Sequence, residues 1–473
     1  FMPFAISLLW SVSRYPWAGF CWGSIAILLS HKWLLALHPI SWIGVNPELS
    51  LPIIILIWIF SGIWGGALVG IWSLLRNQFN FDRFLSHHRF ENKIIYAIFL
   101  SSIWGLGEEI LSRGPLFWIG IGSSLLPDDR YLAGLARLFG TGGLATIQLM
   151  IGWWLWQIII GFESRKNLKK FVLLGFGYIF IAHFIGFLLL IDSPDIGKQK
   201  VALWQTNIPI RKKFSKEEIN SLPSKVNRAL NYASDMDASF LIAPEGTLPL
   251  NKTSIENLPI NFLSGGFRKV RGSQRSSLLV FDSEDETFSA ALDKYRLVPL
   301  GEWIPGFTAK IFKGGLSAVG GLDSGEPSRL LKWEGPSIAG IICYELSNGR
   351  AIANAVRGGA EWILVIANLD PYPISLQKQF LSIAQLRSIE TAKDLISVSN
   401  TGPTSLIQSD GRIDKLFPSN EELIETVELS LNKRKTFYTT FGDTPLILTL
   451  CISFISLIRL NKYHLRDIYL ADI

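Results

Sequence analysis

The segment Ser337-Ile338-Ala339-Gly340-Ile341-Ile342-Cys343-Tyr344-Glu345 runs from an apolar β-type stretch straight into a cysteine, then into the polar Ser347-Asn348-Gly349. A strand that ends on a nucleophilic residue presents that side chain at the edge of a sheet, on a rigid support. The chain has three cysteines, Cys21, Cys343 and Cys451. The first and last lie in strongly apolar stretches, so Cys343 is the one thiol of the polar part. A free cysteine is most often a small buried hydrophobe. Against that reading stand a carboxylate and a lysine upstream, each beside an apolar strand-like run. The runs are Phe240-Leu241-Ile242-Ala243-Pro244-Glu245 and Lys294-Tyr295-Arg296-Leu297-Val298-Pro299.

Around these stretches, strand-like and helix-like patterns alternate. Val201 to Gln205, Phe240 to Ala243, Ser277 to Phe281, Leu297 to Leu300, Ile338 to Ile342 and Trp362 to Ala367 read as strands. Leu395 to Ser399 and Thr404 to Gln408 read as a strand pair around Thr401-Gly402-Pro403. Lys216 to Met236, interrupted by Pro223, Arg350 to Val356, and Leu376 to Lys393 read as helices. Such alternation predicts an α/β layered fold. No internal repeat, Walker loop, dinucleotide-binding glycine fingerprint or zinc-type Cys/His spacing is present, so no cofactor or metal is expected.

The 473 residues have a mean hydropathy of +0.30 with 17 Trp and 30 Phe, too apolar and aromatic for an ordinary soluble protein. The excess lies before about residue 191 and in roughly the last thirty residues, which predicts membrane spans. Six are expected: Ala18 to about Ile40, Leu51 to Leu75, about Ile94 to Leu106, Leu138 to Ile160, Phe171 to Leu190 and Pro445 to about Ile458. In the first, His31-Lys32 sits near the middle, and a snorkelling lysine explains it. In the second, Gly62, Gly65, Gly66 and Gly70 permit close helix contact. The third leads into Gly107-Glu108-Glu109, where charge returns, and residues 110–137 read as a re-entrant or interfacial loop. Phe1 to Trp17 reads as a signal-like or anchor remnant.

Net charge is +6 with pI ≈ 9.0. Much of the Lys and Arg sits beside apolar spans, which the positive-inside effect explains without nucleic acid. Arg76 to Lys93, Glu163 to Lys170 and the tail after Ile458 are basic, whereas residues 39–50 contain no Lys or Arg. Alternating spans place the basic segments on the cytoplasmic side and residues 200–435 on the outer side. The expected organisation is a helical bundle over residues 1–192, an α/β domain over 193–438, and a last span with its tail over 439–473. None of the six histidines lies in the 200–435 region, which argues against a metal site or a Cys–His pair there. A thiol nucleophile then has carboxylates and lysines as its available partners. Taken alone, Glu245 reads as a solvated loop carboxylate, and Lys294 as part of a charged hairpin.

Together, Pro244-Glu245, Lys294-Tyr295-Arg296-Leu297-Val298-Pro299-Leu300-Gly301-Glu302 and Cys343-Tyr344-Glu345 resemble the nitrilase (carbon–nitrogen hydrolase) superfamily, and within it the integral membrane branch, the apolipoprotein N-acyltransferases. Trp204-Gln205-Thr206-Asn207-Ile208-Pro209, Arg387-Ser388-Ile389-Glu390, Asn400-Thr401-Gly402 and Thr440-Phe441-Gly442-Asp443 add to the resemblance, which covers about residues 17–460. It implies an αββα sandwich inserted between transmembrane helices of a bacterial inner membrane, facing the periplasm and acting as a monomer. It implies Glu245 as general base, Lys294 as the cation that stabilises the oxyanion, and Cys343 as nucleophile. Glu302, Tyr344 and Glu345 match supporting positions. Lys294 is expected to favour the thiolate. The implied reaction moves an acyl chain from a phospholipid, through a Cys343 thioester, to the S-diacylglyceryl cysteine of an apolipoprotein. Leu258 to Leu263 and Trp303 to Phe307 are candidate loops for lateral access of acyl chains.

The sequence departs from the family pattern at three places. Ala243 replaces an aromatic before Pro-Glu, Asn368-Leu369-Asp370-Pro371-Tyr372-Pro373 replaces Asn-Asp-Ala-Trp-Phe-Gly, and six spans are read where eight are usual. Two rivals remain at this level: a membrane-bound amidase using water or a small amine as acceptor, and a catalytically inactive lipoprotein-binding scaffold.

Overall fold

The computed structural model describes residues 2–40, 45–78, 90–114, 118–161, 168–191, 196–209, 213, 215–250, 254–255, 258–283, 287–299, 301–303 and 321–471. The apolar stretches form helices α1 (Met2–Val12), α2 (Pro16–Ser30), α3 (Pro47–Gln78), α4 (Phe90–Arg113), the short α5 (Arg130–Ala133), α6 (Ala136–Gly161) and α7 (Leu168–Leu190). Among the described residues, Pro47–Gln78, Asn92–Arg113, Ala136–Ile160 and Phe171–Leu190 are long and apolar enough to cross a bilayer. The protein is a membrane protein with an α/β layered unit.

Several expectations change here. The span expected from Ala18 to Ile40 is a 15-residue α-helix followed by a 3-10 turn over Lys32–Leu37. His31 therefore closes a helix instead of interrupting one, and Lys32 is exposed. Residues 2–12, within the stretch read as a signal-like or anchor remnant, form helix α1. They pack into the bundle, with Ile6, Leu9 and Trp10 fully buried and Trp10 Nε1 donating to Leu149 O at 2.9 Å. The glycines of α3 do bring helices together: a Cβ on Gly66 would lie 2.8 Å from Phe20 O, and one on Gly23 2.7 Å from Gly65 O.

Charge does not end α4 at Leu106, because the helix runs on to Arg113 with Glu108 and Glu109 buried. Each carboxylate meets backbone donors. Glu108 accepts from Ile121 N at 2.7 Å and Gly122 N at 3.2 Å. Glu109 accepts from Gly142 N at 2.8 Å, just past the break in α6 at Gly140 (φ 65). A carboxylate at a restarted helix end satisfies donors that have no intrahelical partner.

After the bundle the described residues form twelve strands: β1 (Gly197–Gln205), β2 (Phe240–Leu248), β3 (Asn261–Val270), β4 (Ser273–Phe281), β5 (Phe288–Asp293), β6 (Leu330–Leu331), β7 (Ile338–Ile342), β8 (Trp362–Ala367), β9 (Leu395–Ser399), β10 (Ser405–Ile407), β11 (Ile413–Leu416) and β12 (Leu423–Leu431). They make two six-stranded sheets, ordered β12-β1-β2-β3-β4-β5 and β11-β10-β9-β8-β7-β6. The first is flanked by α8 (Lys216–Asp235), and α9 (Gly349–Arg357) and α10 (Ile374–Thr391) accompany the second. Two helices, α11 (Phe437–Phe441) and α12 (Thr444–Ala471), lead back to the bundle. The sandwich is an αββα arrangement.

Alternation along β1 and β2 explains the layering. Val201, Leu203, Phe240 and Ile242 join the core between the sheets, whereas Ala202, Trp204, Leu241 and Ala243 pack beneath α8. The parallel trio β7, β8 and β9 is buried along its whole length, as expected of parallel strands covered on both faces. Each fully buried Ile or Leu contributes roughly 1.5–3 kcal/mol.

The run Leu297–Leu300 is not a regular strand where it is described. Leu300 lies outside the described residues; Gly301 N and Glu302 N donate back to Val298 O in a tight turn, and the strand is Phe288–Asp293, so Lys294 follows a strand. The short, mixed pattern Phe-Ser-Ala-Ala-Leu-Asp hid it. The proposed access loop Leu258–Leu263 is corrected too: Phe262 and Leu263 belong to β3 and are fully buried. Of Trp303–Phe307, residues 304–307 lie outside the described residues, and Trp303 is exposed.

β3 presses against the backbone at Glu245. A Cβ on Gly265 would lie 2.4 Å from Glu245 Cα and 2.5 Å from Pro244 O. Gly265→Ala is expected to destabilise the fold by about 1–3 kcal/mol through over-packing. Gly197→Ala, where a Cβ meets open space, is the control and stays within about 0.5 kcal/mol. Thermal unfolding of the purified variants reads both.

Candidate active site

Two strand ends and an irregularity inside a third strand supply the site. Glu245 sits in β2 where its pairing with β3 shifts register between Ala243 and Leu248, beside Gly246 at φ 63. A bulge of this kind re-aims a side chain. Lys294 follows β5, whose last residue, Asp293, is held by Arg268 Nε at 2.6 Å, Arg275 Nη1 at 2.9 Å and Ser277 Oγ at 2.7 Å. Cys343 follows β7 at φ 52 and opens a 3-10 turn over Cys343–Ser347. That left-handed backbone is strained for a residue with a Cβ, and strain of this type concentrates at functional sites.

Lys294 is the hub. It is 1% exposed, and its Nζ donates to Glu245 Oε1 at 2.8 Å and to Glu302 Oε1 at 2.7 Å. Burial alone lowers a lysine pKa, but Glu245 and Glu302 outweigh it and hold Lys294 well above its ordinary value. The lysine is therefore a fixed cation. Glu302 also accepts from Val298 N at 2.9 Å, and burial, with Glu245 close by, raises its pKa. The second oxygen of Glu245 accepts from Asn368 N at 3.1 Å, and the same amide reaches Cys343.

The pull of Lys294 toward the thiolate is present, as expected, but it does not set the state of the Cys343 thiol. Burial raises its pKa, Glu245 and Glu302 add to this, and Lys294 and the Asn368 amide only partly compensate. Cys343 rests as a neutral thiol, not a standing thiolate. Deprotonation then has to accompany attack, which calls for a base in contact range.

Glu345 and Tyr344 do other work. Glu345 Oε1 accepts from Tyr295 N at 2.8 Å, Arg296 N at 3.1 Å and Arg329 Nη1 at 2.9 Å, while Oε2 accepts from Ile342 N at 3.0 Å. One carboxylate thus ties the residue before the thiol to the segment after Lys294. Tyr344 lies under the Arg296 guanidinium, 4.8 Å from Cζ to the ring centroid.

Sequence reasoning missed several neighbours. Buried Lys213 donates to Glu245 O at 2.7 Å, and burial lowers its pKa to about 8 against the pull of Glu245 and Asp370. Arg329 pairs with Glu345 and is 3% exposed. Tyr372, in the segment that departs from the family pattern, packs edge-on against Trp33 at 5.8 Å, and burial near Cys343 pushes its phenol up. These residues are marked by burial of charged or phenolic groups through tertiary approach, which leaves no local pattern in the sequence.

Among the described residues no group of His, Cys, Asp or Glu is arranged to hold a metal. The chain matches no family model. It is 48% identical, over 98% of its length and 93% of the relative, to the apolipoprotein N-acyltransferase of Prochlorococcus marinus. The chain belongs to the apolipoprotein N-acyltransferase family. A second member, from Parasynechococcus marenigrum, is 44% identical over 92% of this chain and 91% of its own. A more distant one, from Thermosynechococcus vestitus, is 27% identical over 94% and 87%. Among solved structures, an amidase of the nitrilase superfamily from Nesterenkonia covers 52% of this chain and 95% of its own, with 16% identity and a TM-score of 0.39. As a member of the apolipoprotein N-acyltransferase family, the chain is an enzyme.

Glu345→Gln keeps size but leaves Arg329 without its counter-charge. Breaking a buried pair in this way costs about 3–5 kcal/mol, so denaturant unfolding should show a loss of that order. For the thiol, a raised pKa means that the thiolate fraction keeps growing with pH. Alkylation of Cys343 by iodoacetamide should therefore keep accelerating beyond about pH 9, where an ordinary thiol begins to level off.

Proposed function

We propose that this enzyme transfers an acyl chain from a phospholipid to the S-diacylglyceryl cysteine at the N-terminus of an apolipoprotein, with Cys343 as nucleophile. One observation carries the residue roles: a buried ammonium, Lys294, bonded to two carboxylates beside a neutral thiol at a strained turn.

In the first half-reaction Glu245 takes the Cys343 proton as sulfur attacks the ester carbonyl. Lys294 faces the carbonyl oxygen as it gains charge, with backbone N–H groups of the 343–345 turn as further donors. The C–O bond breaks, Glu245 returns the proton to the departing lysophospholipid oxygen, and a thioester remains. In the second half the α-amine of the lipoprotein cysteine attacks the thioester and Glu245 accepts its proton. The C–S bond breaks, the thiolate is reprotonated, and the product is an amide. Because one product leaves before the second substrate reacts, the kinetics are ping-pong. Glu302 shares the Lys294 charge and keeps it oriented.

Both substrates are anchored in lipid, which accounts for a site built against membrane helices. The basic segments read from sequence support a reading with the bundle's loops on the cytoplasmic side of a bacterial inner membrane. The sandwich, over residues 193–438 between the bundle of 1–192 and the last span of 439–473, then lies on the periplasmic side. We take the working unit as a monomer, since all the groups named above come from one chain.

The test is conversion of a diacyl to a triacyl lipoprotein by protein reconstituted in phospholipid vesicles. Cys343→Ala should abolish it. Glu245→Gln should lower kcat by about 10²–10⁴-fold, and Lys294→Met by about 10²–10³-fold. A Cys343→Ala protein that still makes triacyl product overturns the assignment.

A further inference from the structure

Arg387 takes no part in the chemistry above, yet it is 4% exposed and points at the turn that carries Cys343. Its Nε donates to Leu346 O at 3.1 Å and its Nη2 to Ser347 O at 3.4 Å. These are the carbonyls at the end of the Cys343–Ser347 turn, which a 3-10 turn leaves without internal partners. The third guanidinium nitrogen, Nη1, bonds Glu390, three residues along α10, and donates to Thr141 Oγ1 at 3.1 Å. Thr141 in turn donates its one hydroxyl proton to Glu390 Oε1 at 2.6 Å. Thr141 stands on α6, in the bundle, immediately after the break at Gly140.

A second arginine makes the same connection from the other side. Arg296 Nη1 donates to Ser347 Oγ at 2.8 Å and to Ser112 O, near the end of α4, at 2.8 Å. Its Nη2 bonds Gly114 O. The turn that carries the thiol is thereby held on both sides by guanidinium groups that also bond the bundle, at Thr141 on α6 and at Ser112 on α4.

We infer that Arg387, held by Thr141 and Glu390, is a positioning residue that sets the Cys343 turn from the membrane bundle. The bundle then acts as part of the catalytic framework as well as an anchor. The physical reason is geometric. Backbone donors of a short turn are useful to an oxyanion only when aimed at it before reaction, and a small misplacement is expensive in rate. Charge-assisted bonds made in a desolvated place are the stiffest local restraint available to such a turn. The inference rests on Cys343 being the nucleophile.

Thr141 supplies the cleanest test, because it lies on the bundle side and bonds the turn only through Arg387. Thr141→Val removes the hydroxyl and keeps the shape, while Thr141→Ser keeps the hydroxyl. Steady-state kinetics with the full chain in phospholipid vesicles should show kcat down about ten-fold for Thr141→Val, by analogy with lost positioning contacts. KM for donor and acceptor should stay within about two-fold, and Thr141→Ser should retain nearly the parent kcat. Arg387→Met should lose more than Thr141→Val, and Arg387→Lys, which restores one donor, should recover part of the loss. Thermal unfolding of each variant separates this from loss of folded protein, since the expected fall in kcat is per folded molecule. A Thr141→Val enzyme with the parent kcat overturns the inference, as does a loss confined to KM, or a Thr141→Ser loss equal to that of Thr141→Val. Cys343→Ala, run alongside, reports on the nucleophile separately. Activity retained there contradicts the nucleophile assignment whatever Thr141 does.

Discussion

The structure depends on keeping one ammonium group, that of Lys294, almost completely out of water. A buried lysine with no counter-charge would lose its proton or unfold its surroundings. Here two carboxylates from different places in the chain, Glu245 at the β2 bulge and Glu302 after a tight turn, meet it at 2.8 and 2.7 Å. The three groups have to converge or none is stable. That requirement joins the end of β5 to the first sheet's centre and to the 298–302 turn. Burial first of all disfavours a Cys343 thiolate, and Glu245 and Glu302 add to this against the opposing pull of Lys294, so Cys343 keeps its proton.

A second constraint is that the sandwich is not a free module hung on helices. Arg296 and Arg387 reach from the site to α4 and α6. Arg137 on α6 donates to Ile389 O and Ser409 O in the sandwich at 3.3 and 2.8 Å, and it is 1% exposed. Buried guanidinium groups shared between the two parts are costly to separate, because each would be left without acceptors. The joint between bundle and sandwich is therefore stiff and lies next to the turn that carries Cys343.

Much of this was legible in the chain. The apolar runs of β7, β8 and β9 are strands on both counts, since strands covered on both faces need continuous Val, Ile and Leu. The amphipathic spacing Leu222, Val226, Ala229, Leu230, Ala233 gave α8 despite Pro223. The layered α/β class followed, and so did the membrane nature of the first part. What was not legible has physical causes. β5 is short and mixed in composition, and β12 alternates weakly, so neither rises above loop background. Glu108 and Glu109 looked like the end of a membrane helix because charge normally marks one, yet backbone donors from Ile121, Gly122 and Gly142 satisfy them inside the protein. The pairing of Glu345 with Arg329, and the position of Lys213 behind Glu245, depend on tertiary approach that carries no local pattern. The resemblance named Glu245, Lys294 and Cys343 as a group. The neutral state of the thiol came only from the burial and the charges around it.

The most direct test is the mass of the intact protein after incubation with a phospholipid of defined acyl chain and no acceptor. The account predicts one added acyl group, located on the Cys343 peptide, sensitive to hydroxylamine, and lost when a diacyl lipoprotein peptide is supplied. No adduct on Cys343, or an adduct that survives addition of a competent acceptor while triacyl product accumulates, would contradict it.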